Sequence, residues 1–96
     1  MSKPRTKLVV PVGPWIASER CLARTFACAS WPIELVAVLA IGALAELVQH
    51  HPTLVVEWRS LRVELRSHDV DAVTERDWEL AHRIDVLLDV VEDEMR

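Results

Sequence analysis

Basic side chains are the minority in this sequence, 11 lysines and arginines against 15 aspartates and glutamates, and the formal charge at pH 7 is −4. A protein that holds a phosphate backbone needs a basic face, so nucleic acid is not an expected partner. Cysteine is scarce too. Cys21 and Cys28 fall in one segment that alternates like a strand, and seven extended residues span roughly 23 Å, far beyond disulfide reach. Both are expected to be reduced, buried fillers, which suits a cytoplasmic protein. The one run that invites a membrane reading, Leu35–Ala45, is bounded by Glu34 and Glu46 and falls short of the roughly 20 residues that cross a bilayer. No membrane span is expected. Lys3, Arg5 and Lys7 precede only a short apolar run broken by Pro11 and Pro14, without a cleavage site, so no export signal is read. Repeats, low-complexity segments and a second domain are absent as well.

What is present fits one hydrophobic core. About half of the 96 residues are apolar, and a chain this short often needs a partner subunit to be stable, so self-association is expected. Residues 1–14 hold three of the five prolines and read as an extended N-terminal arm, followed by a domain over 15–96. Leu22 to Cys28 alternates like a half-buried strand, paired as a hairpin with Trp15-Ile16-Ala17 across a turn near Ser18-Glu19-Arg20. Ser30 can cap a helix that tolerates Pro32 in its first turn and runs from Ile33 to Gln49, closed by Pro52. That helix is apolar nearly all round, which predicts burial on two sides, one against a sheet and one against a second protomer. Leu54–Trp58 and Leu61–Ser67 read as two further strands, the second alternating Leu61, Val63, Leu65 with Arg62, Glu64, Arg66. By that parity His68 falls on the charged face. Thr74 opens a second helix whose stripe is Trp78, Ala81, Ile84, Leu88 and Val91. The order ββαββα predicts an α+β fold, a four-stranded antiparallel sheet with the helices packed on one face.

Chemistry concentrates between Glu46 and Asp77, where three of the four histidines lie. Histidine has the side-chain pKa nearest neutrality, so two of them at element ends facing one cleft can pass protons at cellular pH, with a carboxylate to orient them. Zinc is not expected, because the adjacent His50 and His51 would point apart, unlike a usual ligand spacing.

Glu46-x3-His50-His51-Pro52, then Trp58, His68 and Asp77 at their spacings, resembles the signature of the pterin-4a-carbinolamine dehydratases. Leu22-x-Arg24-Thr25-Phe26, His68-Asp69 and Val73-Thr74-Glu75-Arg76-Asp77 extend the similarity over roughly residues 15 to 90. The resemblance implies dehydration of 4a-hydroxytetrahydrobiopterin to quinonoid dihydropterin in tetrahydrobiopterin recycling, with neither metal nor cofactor, in homodimers or homotetramers that join sheet edges or bury the apolar helix. It implies His51 and His68 as acid and base in either order, His50 in contact with the pterin, and Asp77 orienting a histidine or binding the pterin's amino and amide edge. Trp58, Glu46 and Pro52 would surround the substrate, Trp58 as an aromatic wall and Glu46 as support. Relatives that act without catalysis, as a coactivator or a Rubisco assembly factor, make a non-catalytic interaction protein the alternative.

Plainer readings accompany these. Taken alone, Trp58 and Trp78 read as core aromatics, His82 as an exposed helix position, and Glu92-Asp93-Glu94 as a solvated helix end. Asp69-Val70-Asp71-Ala72 stands where the family often has two glycines, so its backbone is expected to avoid positive φ.

Overall fold

In the computed structural model, which describes residues 7–95, alternation becomes sheet and capped apolar periodicity becomes helix. The elements are β1 (Val9–Ala17), β2 (Leu22–Cys28), α1 (Trp31–Val48), β3 (Thr53–Glu57), β4 (Ser60–Leu65) and α2 (Glu75–Glu94). The strands form one antiparallel sheet in the order β1-β2-β4-β3. Leu22, Phe26 and Cys28 of β2 and Leu61, Val63 and Leu65 of β4 are buried in one cluster with Ala37 and Ile41 of α1 and Leu80, Ala81, Ile84 and Leu88 of α2. Both helices therefore cover the same face. Each large side chain so buried contributes about 1.5–3 kcal/mol.

The expected boundary at residue 15 falls inside a strand. Residues 1–6 of the expected arm lie outside the described residues, and from Val9 the chain is already β1. The prolines are compatible with a strand because β1 is an edge of the sheet, where a missing N–H costs no ladder bond. Its register with β2 shifts between Val12 and Ile16, around Gly13 at φ 73°. This bulge is stitched down by long-range bonds: the Arg24 Nε–H donates to the Gly13 carbonyl at 2.9 Å, Arg24 pairs with Asp85 of α2 at 3.0 Å, and the Trp15 indole N–H donates to Asp85.

The far end of α2 is tied down as well, which corrects the reading of Glu92 as solvated. Glu92 is buried, and its Oε1 accepts the backbone N–H groups of Leu8 and Val9, each at 2.7 Å. Glu92→Ala would strand two donors at the start of β1, and urea melting is expected to show a loss of about 2–4 kcal/mol. A loss under half a kcal/mol would mean that water replaces the carboxylate at no cost.

α2 also turns differently from the expected stripe. Its buried positions are Asp77, Leu80, Ala81, Ile84, Leu88 and Glu92, while Trp78 is exposed and Val91 half-buried. Two carboxylates with polar partners occupy places that a hydrophobic count assigns to apolar residues. His82 is exposed, as read.

α1 begins as expected, with the Ser30 hydroxyl accepting the Ile33 N–H and Pro32 in the first turn. Its inner face, Glu34, Ala37, Ile41 and Ala45, is buried. The opposite face presents Trp31, Leu35, Val36, Leu39 and Leu47 to the outside, Leu39 at 73% and Leu47 at 81% exposure. By length and composition alone α1 could cross a membrane, although its inner face is spent on the core. Cys28 is buried and Cys21 half-buried in the β1–β2 turn, both as free thiols. Burial, with the Glu34 charge adding to it, pushes the Cys28 thiol up to about 11.

Candidate active site

The site is built where α1 ends. Gln49 closes the helix in the left-handed conformation, φ 55°, its N–H and that of His50 folding back onto the last carbonyls, and Pro52 forbids a further turn. The reversal sends consecutive side chains to opposite sides. His50 goes in and is buried; His51 goes out and is exposed. The expectation that the pair point apart holds.

His50 meets the first turn of α2. Its Nε2 lies 2.6 Å from Asp77 Oδ1, and Arg76 Nη2 lies 3.3 Å from its Nδ1. Arginine carries only donors, so Nδ1 accepts and the ring proton sits on Nε2, facing the carboxylate. Asp77, 0% exposed, is held on its other oxygen by the Ser67 hydroxyl at 2.9 Å and the Thr74 backbone N–H at 2.8 Å. Burial alone would raise the Asp77 carboxyl. The donors from the Thr74 backbone, His50 and Ser67 outweigh it and hold the group below the ordinary carboxylate range. Asp77 is thus an ionised, fully committed carboxylate that orients the His50 imidazole. The Asp77–Thr74 bond is also the N3-to-N-cap half of a capping box, so the start of α2 and the site share one carboxylate.

His51 Nε2 bonds Glu46 Oε1 at 2.8 Å. Bonds from His51 and then Gln49 draw the Glu46 carboxyl below its usual range. Both partners are exposed on the outer side, and Pro52 beside them is half-buried before β3 begins. His68 lies past the end of β4 on the outward parity, as expected, and lines a cavity of about 330 Å³ with Cys21, Thr53, Glu64 and Arg66. Because Thr53 pairs with Glu64, the chain around His51 and the chain leading to His68 leave the sheet at the same end. No hydrogen bond joins these two histidines among the described residues.

Trp58 is not with them. Glu57 pairs with Ser60, so Trp58 forms the tip of the β3–β4 hairpin, and five residues of strand carry it roughly 16 Å from Thr53. It is 74% exposed there under the Arg59 guanidinium. Among the described residues Trp58 therefore forms no wall beside the histidines, and neither Trp58 nor Trp78 is a core aromatic. The loop after His68 also departs from expectation: Ser67 bridges Ala72 and Asp71 takes φ 49°, a left-handed conformation that aspartate tolerates better than most residues.

Ser67, Arg76 and Glu79 were not anticipated at the site. Ser67 had a signal: it continues the inward row Leu61, Val63, Leu65, and a small polar residue in an apolar slot calls for a buried partner. Arg76 stands in the Val73–Asp77 stretch that extends the resemblance, and Glu79 has no signal beyond lying within a turn of Asp77.

The family model for Pterin 4 alpha carbinolamine dehydratase matches residues 3–87. A protein of Aquifex aeolicus named provisionally as a pterin-4-alpha-carbinolamine dehydratase is 35% identical over 74 residues, 77% of this chain and 75% of that one. One of Roseiflexus sp. under the same name is 31% identical over 74 residues, 77% and 80% of the two chains. Among solved structures, a transcriptional coactivator/pterin dehydratase from Brucella melitensis superposes with TM-score 0.70 at 20% identity, covering 78% of this chain and 80% of that one. A pterin dehydratase-like protein described as a RuBisCO assembly factor in the alpha-carboxysome gives TM-score 0.68 at 22% identity, covering 79% and 90%. The two structures share the fold, and with the family match spanning nearly the whole sequence, this chain belongs to the pterin 4 alpha carbinolamine dehydratase family.

Proposed function

We propose that this protein removes water from a 4a-hydroxytetrahydropterin to give quinonoid dihydropterin, by histidine acid/base catalysis in tetrahydrobiopterin recycling. One observation carries the reading: the buried Asp77 carboxylate holds His50 through Nε2 while Arg76 donates to Nδ1, an imidazole oriented by a carboxylate at the end of α1 where His51 follows it. In the reaction the C4a–O bond breaks, the hydroxyl leaves as water with a proton from an acid, and a ring nitrogen gives its proton to a base. Protons balance, and the chemistry calls on neither metal nor cofactor. His51 with Glu46, and His68 beside its cavity, supply further proton-transfer groups at the same end of the sheet.

The free thiols support a cytoplasmic setting, and the acidic balance disfavours nucleic acid. The outer face of α1 supports a homodimer or homotetramer, since an apolar surface of this kind is usually covered. Replacing Leu39 and Leu47 together by glutamate is expected to reduce the mass measured by light scattering, leaving no assembly larger than a dimer joined through sheet edges. An unchanged oligomer would move the interface elsewhere.

The test is to generate 4a-hydroxytetrahydrobiopterin in situ and follow quinonoid dihydropterin by absorbance. Wild type accelerates its formation, and neither His50→Gln nor the His51→Ala, His68→Ala double variant does so to a comparable extent. Folded wild type no faster than the spontaneous reaction would sink the reading. The protein would then be a dehydratase-like interaction module, for which the exposed face of α1 is the available surface.

A further inference from the structure

His51 and His68 stand on different segments and share no bond among the described residues, so their spacing depends on what ties those segments together. Two consecutive residues at the start of α2 do so. Asp77 grips His50 through one oxygen and Ser67 through the other. Arg76 repeats the grip nearer the surface: its Nη2 donates to His50 Nδ1 at 3.3 Å, and its Nη1 lies 3.6 Å from Asp69 Oδ1. His51 follows His50, and His68 lies between Ser67 and Asp69. The two grips therefore bracket His68.

They differ in what they contribute. Asp77 is fully buried and belongs to the cap of α2, whereas the side chains of Arg76 and Asp69 are 56% and 68% exposed, and an ion pair so exposed adds little to stability. Its effect is on position. Among the described residues the other polar bonds of residues 68–71 are local, Asp71 to Arg66 and the Val70 N–H to the Ser67 carbonyl. Only Arg76 ties this loop to α2 and the end of α1. A guanidinium suits the task because its planar fork can serve acceptors on two segments at once, where an ammonium is a single point of charge. We propose that Arg76 is a positioning residue, which acts through His50 and Asp69 to set the distance between His51 and His68 without contacting the substrate. This role rests on the dehydratase reading. It is worth rate because a misplacement of about 1 Å costs up to roughly a hundred-fold.

Steady-state dehydration by wild type, Arg76→Gln, Asp69→Ala and the double variant tests this, with urea midpoints measured alongside. Arg76→Gln is expected to lower kcat about 10- to 100-fold, with KM within about three-fold of wild type and the midpoint unchanged. Asp69→Ala should lose part of the same rate, and the double variant should be no slower than Arg76→Gln alone, since both changes break one contact. A kcat within about two-fold of wild type, a rise in KM in place of the fall in kcat, or a midpoint that falls with the rate would each overturn the positioning role. So would losses that multiply in the double variant. Asp69 lies on an exposed loop, so its variant reads the same contact even if Arg76→Gln unfolds. Wild type no faster than the spontaneous reaction would overturn the role together with the dehydratase reading.

Discussion

Asp77→Ala is expected to lower stability by about 3–5 kcal/mol, because it leaves the His50 ring N–H, the Ser67 hydroxyl and the Thr74 backbone N–H without their buried acceptor. It also removes one half of the cap of α2. Asp77→Asn separates chemistry from packing. The amide keeps the shape, but turning its NH2 to His50 forces the ring proton onto Nδ1, where the Arg76 N–H already points. The imidazole then has no lone pair in the productive direction, and turnover is expected to fall by about two to four orders of magnitude while much of the fold survives. The pH dependence follows in sign. The folded-state carboxyl of Asp77 lies below its ordinary value, so its contribution is complete above roughly pH 4, the unfolded value, and is lost as pH falls through the folded one. Urea midpoints taken from pH 6 down to pH 3 should fall for wild type and converge on those of Asp77→Asn. Parallel curves would mean that Asp77 is not the group being protonated.

Glu34→Leu is expected to do the reverse and raise stability. Glu34 is 0% exposed on the inner face of α1, and neither carboxylate oxygen has a hydrogen-bond partner among the described residues. Its place in the first helical turn gives it a favourable dipole, but a buried polar group without a partner costs about 1–3 kcal/mol, and a charged one more. Leucine fills a similar volume without that penalty, so a gain of about 1–3 kcal/mol is expected. In a domain of this size each kcal/mol moves the melting temperature by roughly 4–8 °C. A lower melting temperature for Glu34→Leu would show that the carboxylate is satisfied in the assembled protein and that its burial is specific rather than frustrated.

The strands and helices were legible because their signals are local. Ser30 and Pro32 mark a helix start within three residues, and Leu61, Val63 and Leu65 alternate within five. What escaped the sequence is what long-range contacts decide. Glu92 looked solvated because its partners, Leu8 and Val9, lie more than 80 residues away. Trp78 looked like core because it is large, and only the polar partners of Asp77 show that α2 turns Asp77 inward instead. Position 71 looked unable to adopt positive φ without glycine, yet a bridge between Ser67 and Ala72 holds Asp71 there. At the candidate site the spacing of His50 and Asp77 carried the motif, and the 2.6 Å bond between them gives it a physical reason. The same spacing misplaced Trp58, because linear distance from the histidines along a hairpin is distance away from them in space.

The central claim is that a carboxylate-oriented His50 moves a proton during water loss. The most direct test is the single-turnover rate of dehydration at pH 7 for wild type and His50→Gln, with urea midpoints measured alongside, since glutamine can still donate to Asp77. A rate lower by about a hundred-fold or more is predicted for His50→Gln. A rate within about two-fold of wild type, smaller than the loss of a working acid/base group produces, would contradict the account.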